Sequence, residues 1–223
     1  MSIAKKFEVI ADAVYKKGMS NSALWNGIQN NGNRKNYMYA FSYWVNFEYI
    51  QPLYKVVPNT TTPDLFFHCE YLKKVESKYF DLSGCPVTSN ANSTGWYRTF
   101  HSCFSLEVIE DIGMPAGGLY QTFLNCSKLK TITKLRVNEN CIFTSPFKGC
   151  ASLENITIDG TIGENFPISS SPSLSQDSIN SIIDHLADLT GQTAKTVTFH
   201  QTVINNLTDE QYNKVSAKNW QLG

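Results

Sequence analysis

Residues 123–132 read FLNCSKLKTI, with an apolar residue at every third position. The same pattern, Phe-x-x-Cys-x-x-Leu-x-x-Val/Ile, occurs four times in the middle of the chain, and we number these occurrences copies 1 to 4. Their positions are Phe66, Cys69, Leu72 and Val75; Phe100, Cys103, Leu106 and Ile109; Phe123, Cys126, Leu129 and Ile132; and Phe147, Cys150, Leu153 and Ile156. A repeated apolar template of this kind indicates a fold built from repeating units.

The spacing within a copy predicts its local structure. Apolar residues at i, i+3 and i+6 share one side of a short helical or 3₁₀ turn, and the Val/Ile that follows begins an extended segment. One such unit cannot bury its apolar side alone, so we expect the copies to stack, with Phe, Cys and Leu inside. The longer interval between copies 1 and 2 contains the Ser/Asn-rich residues 88–94, which predict a surface loop.

The repeated pattern resembles the leucine-rich repeats of the BspA type over residues 65–163. The resemblance implies an α+β fold, a short leucine-rich-repeat solenoid with a cap at each end. We therefore expect an N-terminal helical and aromatic-rich module over residues 1–60, the solenoid over 61–163, and a C-terminal α/β cap, largely helical, over 164–223.

Both ends of the chain contain helical patterns. Apolar spacing predicts an amphipathic helix over residues 3–17. Ser175 is expected to cap a helix over residues 177–189 that Gly191 terminates. Residues 196–199 alternate like a strand, and Thr208 with Gln211 predicts a capping box for a last helix through residue 217.

Two further stretches are similar to proteins of tailed phages and prophages. Residues 24–41 (LWNGIQNNGNRKNYMYAF) look like the opening of such proteins, and residues 174–223 are similar to their closing segment. The similarity implies a non-enzymatic virion protein of the tail or baseplate, made in the host cytoplasm. Its partners would be other virion proteins and a host-surface glycan or protein, within a homo-oligomer. The alternatives are a bacterial cell-surface adhesin with the same repeats and a virion-associated wall hydrolase.

Composition argues against two kinds of partner. Lys and Arg together number 19, as do Asp and Glu, so the chain lacks the basic excess that neutralises phosphates, and we expect no nucleic-acid binding. No apolar run approaches 18 residues, so we expect no membrane insertion. Glu8 and Asp12 interrupt the apolar run that a signal peptide would need.

The residues that could support chemistry favour a structural interpretation. The six cysteines form no C-x₂₋₄-C pair, so we expect no metal site, and those of the repeats are interpreted as buried apolar groups. His68 and His101 are interpreted as one repeated turn or surface position just before the cysteine. Glu107, Glu110 and Asp111 are interpreted as a solvated edge. We expect no catalytic residue and no cofactor.

Aromatic residues supply the candidate binding surface. Tyr37, Tyr39 and Tyr43 alternate as on one face of a strand, and Trp44 adjoins them. Trp96 and Tyr97 form a second candidate beside the predicted loop. Such residues suit a platform for a sugar or a protein, and the alternative is that they pack into a cap.

Overall fold

A computed structural model of the chain describes residues 64–77, 81–83, 96–114 and 116–223. The module predicted for residues 1–60, its helix over 3–17, and the predicted loop over 88–94 lie outside these ranges. The described strands are β1 (Lys74–Val75), β2 (Val108–Ile109), β3 (Leu119–Tyr120), β4 (Thr131–Val137), β5 (Phe143–Thr144), β6 (Asn155–Gly160), β7 (Phe166–Pro167), β8 (Lys195–Thr198) and β9 (Trp220–Leu222). The described helices are α1 (Gln176–Asp184), α2 (Gln201–Ile204) and α3 (Asp209–Ala217).

Each copy of the repeat folds as a tight turn followed by a strand. In copy 1 the Cys69 N–H donates to the Phe66 carbonyl at 3.0 Å, and the Leu72 N–H donates to the Cys69 carbonyl at 3.1 Å. These are bonds between residues three apart, which a 3₁₀-type turn makes. Corresponding bonds occur in the other three copies, so the three-residue spacing of the apolar side chains places them on one side of the turn.

The four copies pair through a parallel sheet in the order β1-β2-β4-β6. The last apolar residue of each copy keeps one register across the sheet: Val75 opposes Ile109, Ile109 opposes Ile132, and Ile132 opposes Ile156. The turns follow the same succession, since the Phe100 N–H donates to the Thr122 carbonyl of the next copy at 2.9 Å. Equivalent residues therefore lie one above another.

A column of phenylalanines runs through the interior beside this sheet. The ring centroids of Phe66 and Phe100 are 5.2 Å apart, and those of Phe100 and Phe123, and of Phe123 and Phe147, are 5.6 Å apart, with planes within 10° of parallel. All four rings are buried. Near-parallel aromatic pairs at this separation add to the free energy gained by burying apolar area.

Two positions in every copy adopt the left-handed backbone conformation. The first, two residues before the phenylalanine, and the second, directly before the cysteine, have positive φ in all four copies. The first set is Asp64, Arg98, Gln121 and Ser145, and the second is His68, Ser102, Asn125 and Gly149. Because a residue other than glycine loses about 1 kcal/mol in this conformation, the stacked turns must overcome a local penalty at seven of these eight positions.

Two smaller parallel sheets complete the described fold. β3 pairs with β5, and β7, β8 and β9 form a three-stranded sheet in that order. β8 (Lys195–Thr198) lies one residue before the strand predicted from the alternation at 196–199, and β9 at the end of the chain was not predicted. The described part of the chain thus combines helices with parallel sheets.

Helix α1 covers the edge of the four-stranded sheet. The hydroxyl of Ser178 accepts a hydrogen bond from the Ile156 N–H, and the hydroxyl of Ser181 accepts one from the Ile158 N–H, both at 2.9 Å. These two serines, three residues apart on one helix face, satisfy donors that β6 would otherwise leave unpaired in the interior. Covering an edge in this way prevents another chain from adding a strand there.

The ends of the two longer helices test the capping predictions. Ser175 caps α1 as predicted, since its hydroxyl accepts from the Ser178 N–H, but the prediction that this helix continues to residue 189 was wrong. The helix ends at Asp184 because the next residues pair with the segment before β7: Leu186 bridges Ile162. The predicted capping box of Thr208 and Gln211 is present at the start of α3.

Candidate functional site

The repeated side chains form the interior of the described fold. All twelve residues at the Phe, Cys and Leu positions of the four copies are at most 1% exposed. The set comprises Phe66, Cys69, Leu72, Phe100, Cys103, Leu106, Phe123, Cys126, Leu129, Phe147, Cys150 and Leu153. These residues are available for packing and not for contact with a ligand.

Cysteine has a specific role at its position in the repeat. The thiol of Cys103 donates to the Phe66 carbonyl at 3.1 Å, and that of Cys150 donates to the Phe123 carbonyl at 3.1 Å, so each links one copy to the copy before it. Burial raises the pKa of Cys150 to about 12. Nucleophilic attack requires the thiolate, so a thiol of this kind is unreactive at neutral pH.

The aromatic residues chosen from the sequence fall into two groups. Tyr37, Tyr39, Tyr43 and Trp44 lie outside the described residues. The assignment of Trp96 to a binding surface was wrong, because its side chain is 3% exposed and packs in the core. Tyr97 is half-buried, and its ring stacks on that of Tyr120 of the next copy, with centroids 4.8 Å apart.

A second group of aromatic rings lies on the outside of copies 1 and 2, and we call it the aromatic patch: Phe67, His68, Tyr97, His101 and Phe104. Phe67 and His101 hold equivalent positions in the two copies, with ring centroids 5.0 Å apart. The ring centroid of His68 lies 5.8 Å from that of His101 and 6.4 Å from that of Phe104. Phe104 is 38% exposed. The patch therefore presents apolar surface to solvent.

Arg98 connects Tyr97 to the rest of the aromatic patch. Its guanidinium carbon lies 4.6 Å from the ring centroid of Tyr97 and 4.9 Å from that of Phe67, so it contacts two π faces. Its Nε lies 2.9 Å from Oδ1 of Asp64, which is 2% exposed. The ion pair joins the same position of copies 1 and 2 and fixes the orientation of Arg98 under the patch.

The two histidines differ in their environment. His68 directly precedes Cys69, whereas His101 lies two residues before Cys103, so the interpretation of one repeated position was wrong. Burial, and then the charges of His68 and Arg98, lower the pKa of His101. A neutral His101 ring at physiological pH suits an apolar contact surface, because no charge has to be desolvated there.

The sequence could have revealed this patch only by superposition of the copies. Phe67 and His101 each lie two residues before the cysteine of their own copy. Their rings come into contact only because copies 1 and 2 stack. The equivalent residues of copies 3 and 4 are Leu124 and Lys148. At this position of the repeat, aromatic rings therefore occur only in copies 1 and 2 of the four.

The carboxylates after copy 2, interpreted as a solvated edge, are partly exposed, and each also pairs with a basic side chain of a neighbouring copy. Glu107 lies 3.6 Å from Nζ of Lys130 and is 44% exposed. Glu110 lies 2.6 Å from Nζ of Lys74, and hydrogen bonds from Lys74 and then Ser77 hold the pKa of this carboxyl below its usual value. Arg136 binds both oxygens of Asp111, at 2.7 and 3.0 Å. Partly exposed pairs of this type stabilise weakly, and their main effect here is to fix register between strands.

A polar cleft of about 740 Å³ opens at the junction of the repeats with the C-terminal part of the chain. It lies between the loop that follows β4, which includes Glu139, and residues 187–193, which follow α1. Glu164 and Lys195 line it from the segments around β7 and β8. No feature of the sequence alone brings these four stretches together.

Within residues 64–77, 81–83, 96–114 and 116–223, no three His, Cys, Asp or Glu side chains converge as metal ligands would. No helix in the same ranges has the length and apolar character needed to cross a membrane.

The chain matches no protein-family model, no curated protein and no solved structure.

Proposed function

We propose that this chain is a non-enzymatic structural and adhesion protein of a tailed-phage particle, at the tail or baseplate. Its four copies would form a leucine-rich-repeat solenoid of the BspA type. It would act by binding another protein through an exposed surface, within a homo-oligomer that belongs to a larger assembly.

The proposal of a solenoid is supported by the relation between neighbouring copies. Val75, Ile109, Ile132 and Ile156 share one register in a parallel sheet, and the phenylalanines stack at 5.2–5.6 Å. In a solenoid each unit contacts its neighbours, and the stack buries what one unit cannot. Such a scaffold holds surface residues in fixed positions, which reduces the entropy lost on binding.

The aromatic patch is the observation on which the binding function rests. Tyr, Phe and Arg are enriched in the centres of protein interfaces, where they contribute much of the free energy of association. Phe104 is exposed within this patch, and Tyr71, at 52% exposed, lies in the next turn of copy 1. A binding surface of this composition fits a protein partner that presents a complementary apolar surface.

The virion location rests on the similarity of residues 24–41 and 174–223 to phage proteins. A phage protein is made in the cytoplasm of its host, where thiols stay reduced. Cys103, Cys126, Cys141 and Cys150 are buried free thiols, which agrees with folding in that compartment.

Immunogold electron microscopy of gradient-banded particles tests the proposal. Antibodies against the purified chain should label the tail or baseplate of intact particles in a fixed geometry. Unlabelled particles, with the antigen found on the surface of the cells, would reject the virion assignment and support the adhesin alternative. Antibodies adsorbed with the purified chain are the control for specific labelling.

A further inference from the structure

One wall of the polar cleft at the end of the repeats is formed by residues 187–193. Side chains near the end of the chain hold the backbone of this segment in place. Nζ of Lys218 donates to the carbonyls of Ile183, Asp184 and Leu186, at 2.8–3.1 Å. The next two residues continue the same arrangement along the wall. The amide of Asn219 donates to the carbonyls of Leu189 and Gln192, and the indole N–H of Trp220 donates to the carbonyl of Ala187, at 2.8–3.1 Å.

Three consecutive side chains at the end of the chain thus fix the backbone of residues 183–192. The wall contains little regular secondary structure, and these six bonds hold its shape together with backbone bonds from Ala187 to Ile162 and from Leu189 to Lys218. The carbonyls of Ala187, Leu189 and Gln192 accept these bonds on the side of the wall that faces away from the cleft. Side chains of the same segment, including Asp188 and Gln192, line the cleft itself. A site whose backbone is fixed before binding loses less entropy when a ligand arrives.

The opposite wall is fixed by close backbone contact. Gly163 lies against the backbone of Glu139, and a Cβ at this glycine would be 2.3 Å from the Glu139 carbonyl oxygen. No other residue type fits there without moving the loop. The cleft is therefore defined by two segments that a ligand does not need to rearrange.

The lining chemistry narrows the class of ligand. Glu164 is paired with Lys195 at 2.6 Å, which neutralises both. Glu139 and Asp188 add negative charge, and hydrogen bonds from the hydroxyl and N–H of Thr190 keep the pKa of Asp188 below its usual value. A phosphate or an acidic ligand would meet unfavourable charge in this site.

Apolar ligands also fit this cleft poorly. The remaining polar side chains include Gln192 and Thr193, both exposed, and none of the described residues that line the site is aromatic. Carboxylate, amide and hydroxyl groups together offer donors and acceptors that match the paired hydroxyls of a sugar. The volume lies within the range of about 300–1,000 Å³ typical of small-molecule sites.

We propose that this cleft binds an uncharged or amino-substituted oligosaccharide, with Gln192, Thr193 and Asp188 forming hydrogen bonds to its hydroxyl or amino groups. The site lies apart from the aromatic patch, so one molecule could hold a protein partner and a glycan at once. The inference goes beyond the proposed function and does not depend on where the protein resides, because the purified chain contains the whole cleft.

Binding to a printed array of neutral, amino-substituted and acidic oligosaccharides tests this inference on the purified full-length chain. We expect binding to neutral or amino-substituted glycans and none to acidic ones. The best binder is then titrated by calorimetry against the double variant Gln192→Ala/Thr193→Ala. We expect its affinity to fall at least about tenfold.

Gln221→Ala is the matched control, since this exposed glutamine lies on β9 outside the cleft. It should bind the glycan with unchanged affinity, and melting curves of both variants should show that they are folded. Failure of every glycan to bind, preference for acidic glycans, or equal affinity of the double variant and the parent would each overturn the inference. None of these results bears on whether the protein is present in particles.

Discussion

The Sγ of Cys126 lies 3.0 Å from the carbonyl oxygen of Phe100 and donates a hydrogen bond to it from the next copy of the repeat. The same relation joins Cys103 to Phe66 and Cys150 to Phe123. Each phenylalanine carbonyl also accepts the N–H of its own cysteine. Cysteine suits this position because it is small enough to be buried beside a stacked ring and still supplies a donor.

Replacing one of these thiols tests their contribution to stability. Cys126→Ala removes the sulfur and its hydrogen bond, and we expect the free energy of unfolding to fall by about 1–3 kcal/mol. Urea unfolding of the variant and the parent measures this difference. Ser127→Ala changes the exposed neighbouring residue and should alter stability by less than about 0.5 kcal/mol. Equal stability of Cys126→Ala and the parent would mean that the bond between copies contributes nothing.

Two glycines allow the close stacking of the turns to be measured. Gly149 and Gly191 have φ of +82° and +79°. Alanine therefore loses a similar conformational free energy in the backbone at both positions. A Cβ at Gly149 would lie 2.9 Å from Oδ1 and 3.2 Å from Cα of Asn125 in the copy before it, whereas one at Gly191 meets nothing within 4 Å.

We therefore expect Gly191→Ala to lower the free energy of unfolding by about 1 kcal/mol. Gly149→Ala should lower it by about 2–3 kcal/mol, because the added methyl group also overpacks the turn. Thermal or urea unfolding of both variants gives the difference. If the two variants are equally destabilised, the turns of copies 3 and 4 are not in contact as described.

The buried thiols predict a loss of stability at alkaline pH. Burial raises the pKa of Cys103, Cys126 and Cys150 in the folded protein, the last to about 12. In the unfolded chain a thiol has a pKa of about 8.5. Above that pH the unfolded state releases protons that the folded state retains, so the free energy of unfolding falls as pH rises, by up to about 1.4 kcal/mol per pH unit for each thiol.

The variant Cys150→Ala isolates one thiol from the other groups that titrate in this range. Its free energy of unfolding should fall less steeply than that of the parent between about pH 8.5 and 10. The two should have the same slope between about pH 6 and 7, where the thiol stays protonated in both states. Chemical unfolding at a series of pH values measures both slopes. Identical slopes above pH 9, roughly half a unit past the free thiol pKa, would contradict the burial of Cys150.

The aromatic patch predicts a separation of binding from stability. Phe104→Ser gives copy 2 the residue that copy 3 has at the same position, Ser127. We expect a change in the free energy of unfolding of at most about 1 kcal/mol, because Phe104 is partly exposed. Incorporation into particles should fall strongly when the variant replaces the parent gene.

Ile142→Ser is the control for this prediction. Ile142 is 46% exposed and lies in the loop before β5, away from the ring contacts of the patch. Its variant should enter particles as the parent does. Normal incorporation of Phe104→Ser, or equal loss with Ile142→Ser, would show that the patch is not the contact surface.

The sequence predicted the elements whose side-chain period is set by burial. Phe123, Cys126 and Leu129 repeat at every third residue because one side of each turn is interior, and this period is visible without a structure. The caps at Ser175 and Thr208 were equally predictable, since a hydroxyl at a helix start is a local signal.

Features that depend on contacts between distant segments were not predictable. The apolar spacing of α1 continues to Leu189, yet the helix ends at Asp184 because Leu186 bridges Ile162. Arg98 and Gln121 have positive φ, which their residue types do not suggest, because stacking of the copies imposes the turn. The aromatic patch and the polar cleft likewise exist only once the copies and the C-terminal segment are assembled.

Peptide mass spectrometry of purified, gradient-banded particles tests the central proposal most directly. The abundance of this chain is measured relative to the major capsid protein of the same particles. The proposed function predicts recovery at a fixed, low ratio that corresponds to a small symmetric oligomer in each tail or baseplate. Absence of the chain from particles, with recovery from the cell surface or the medium, would contradict it.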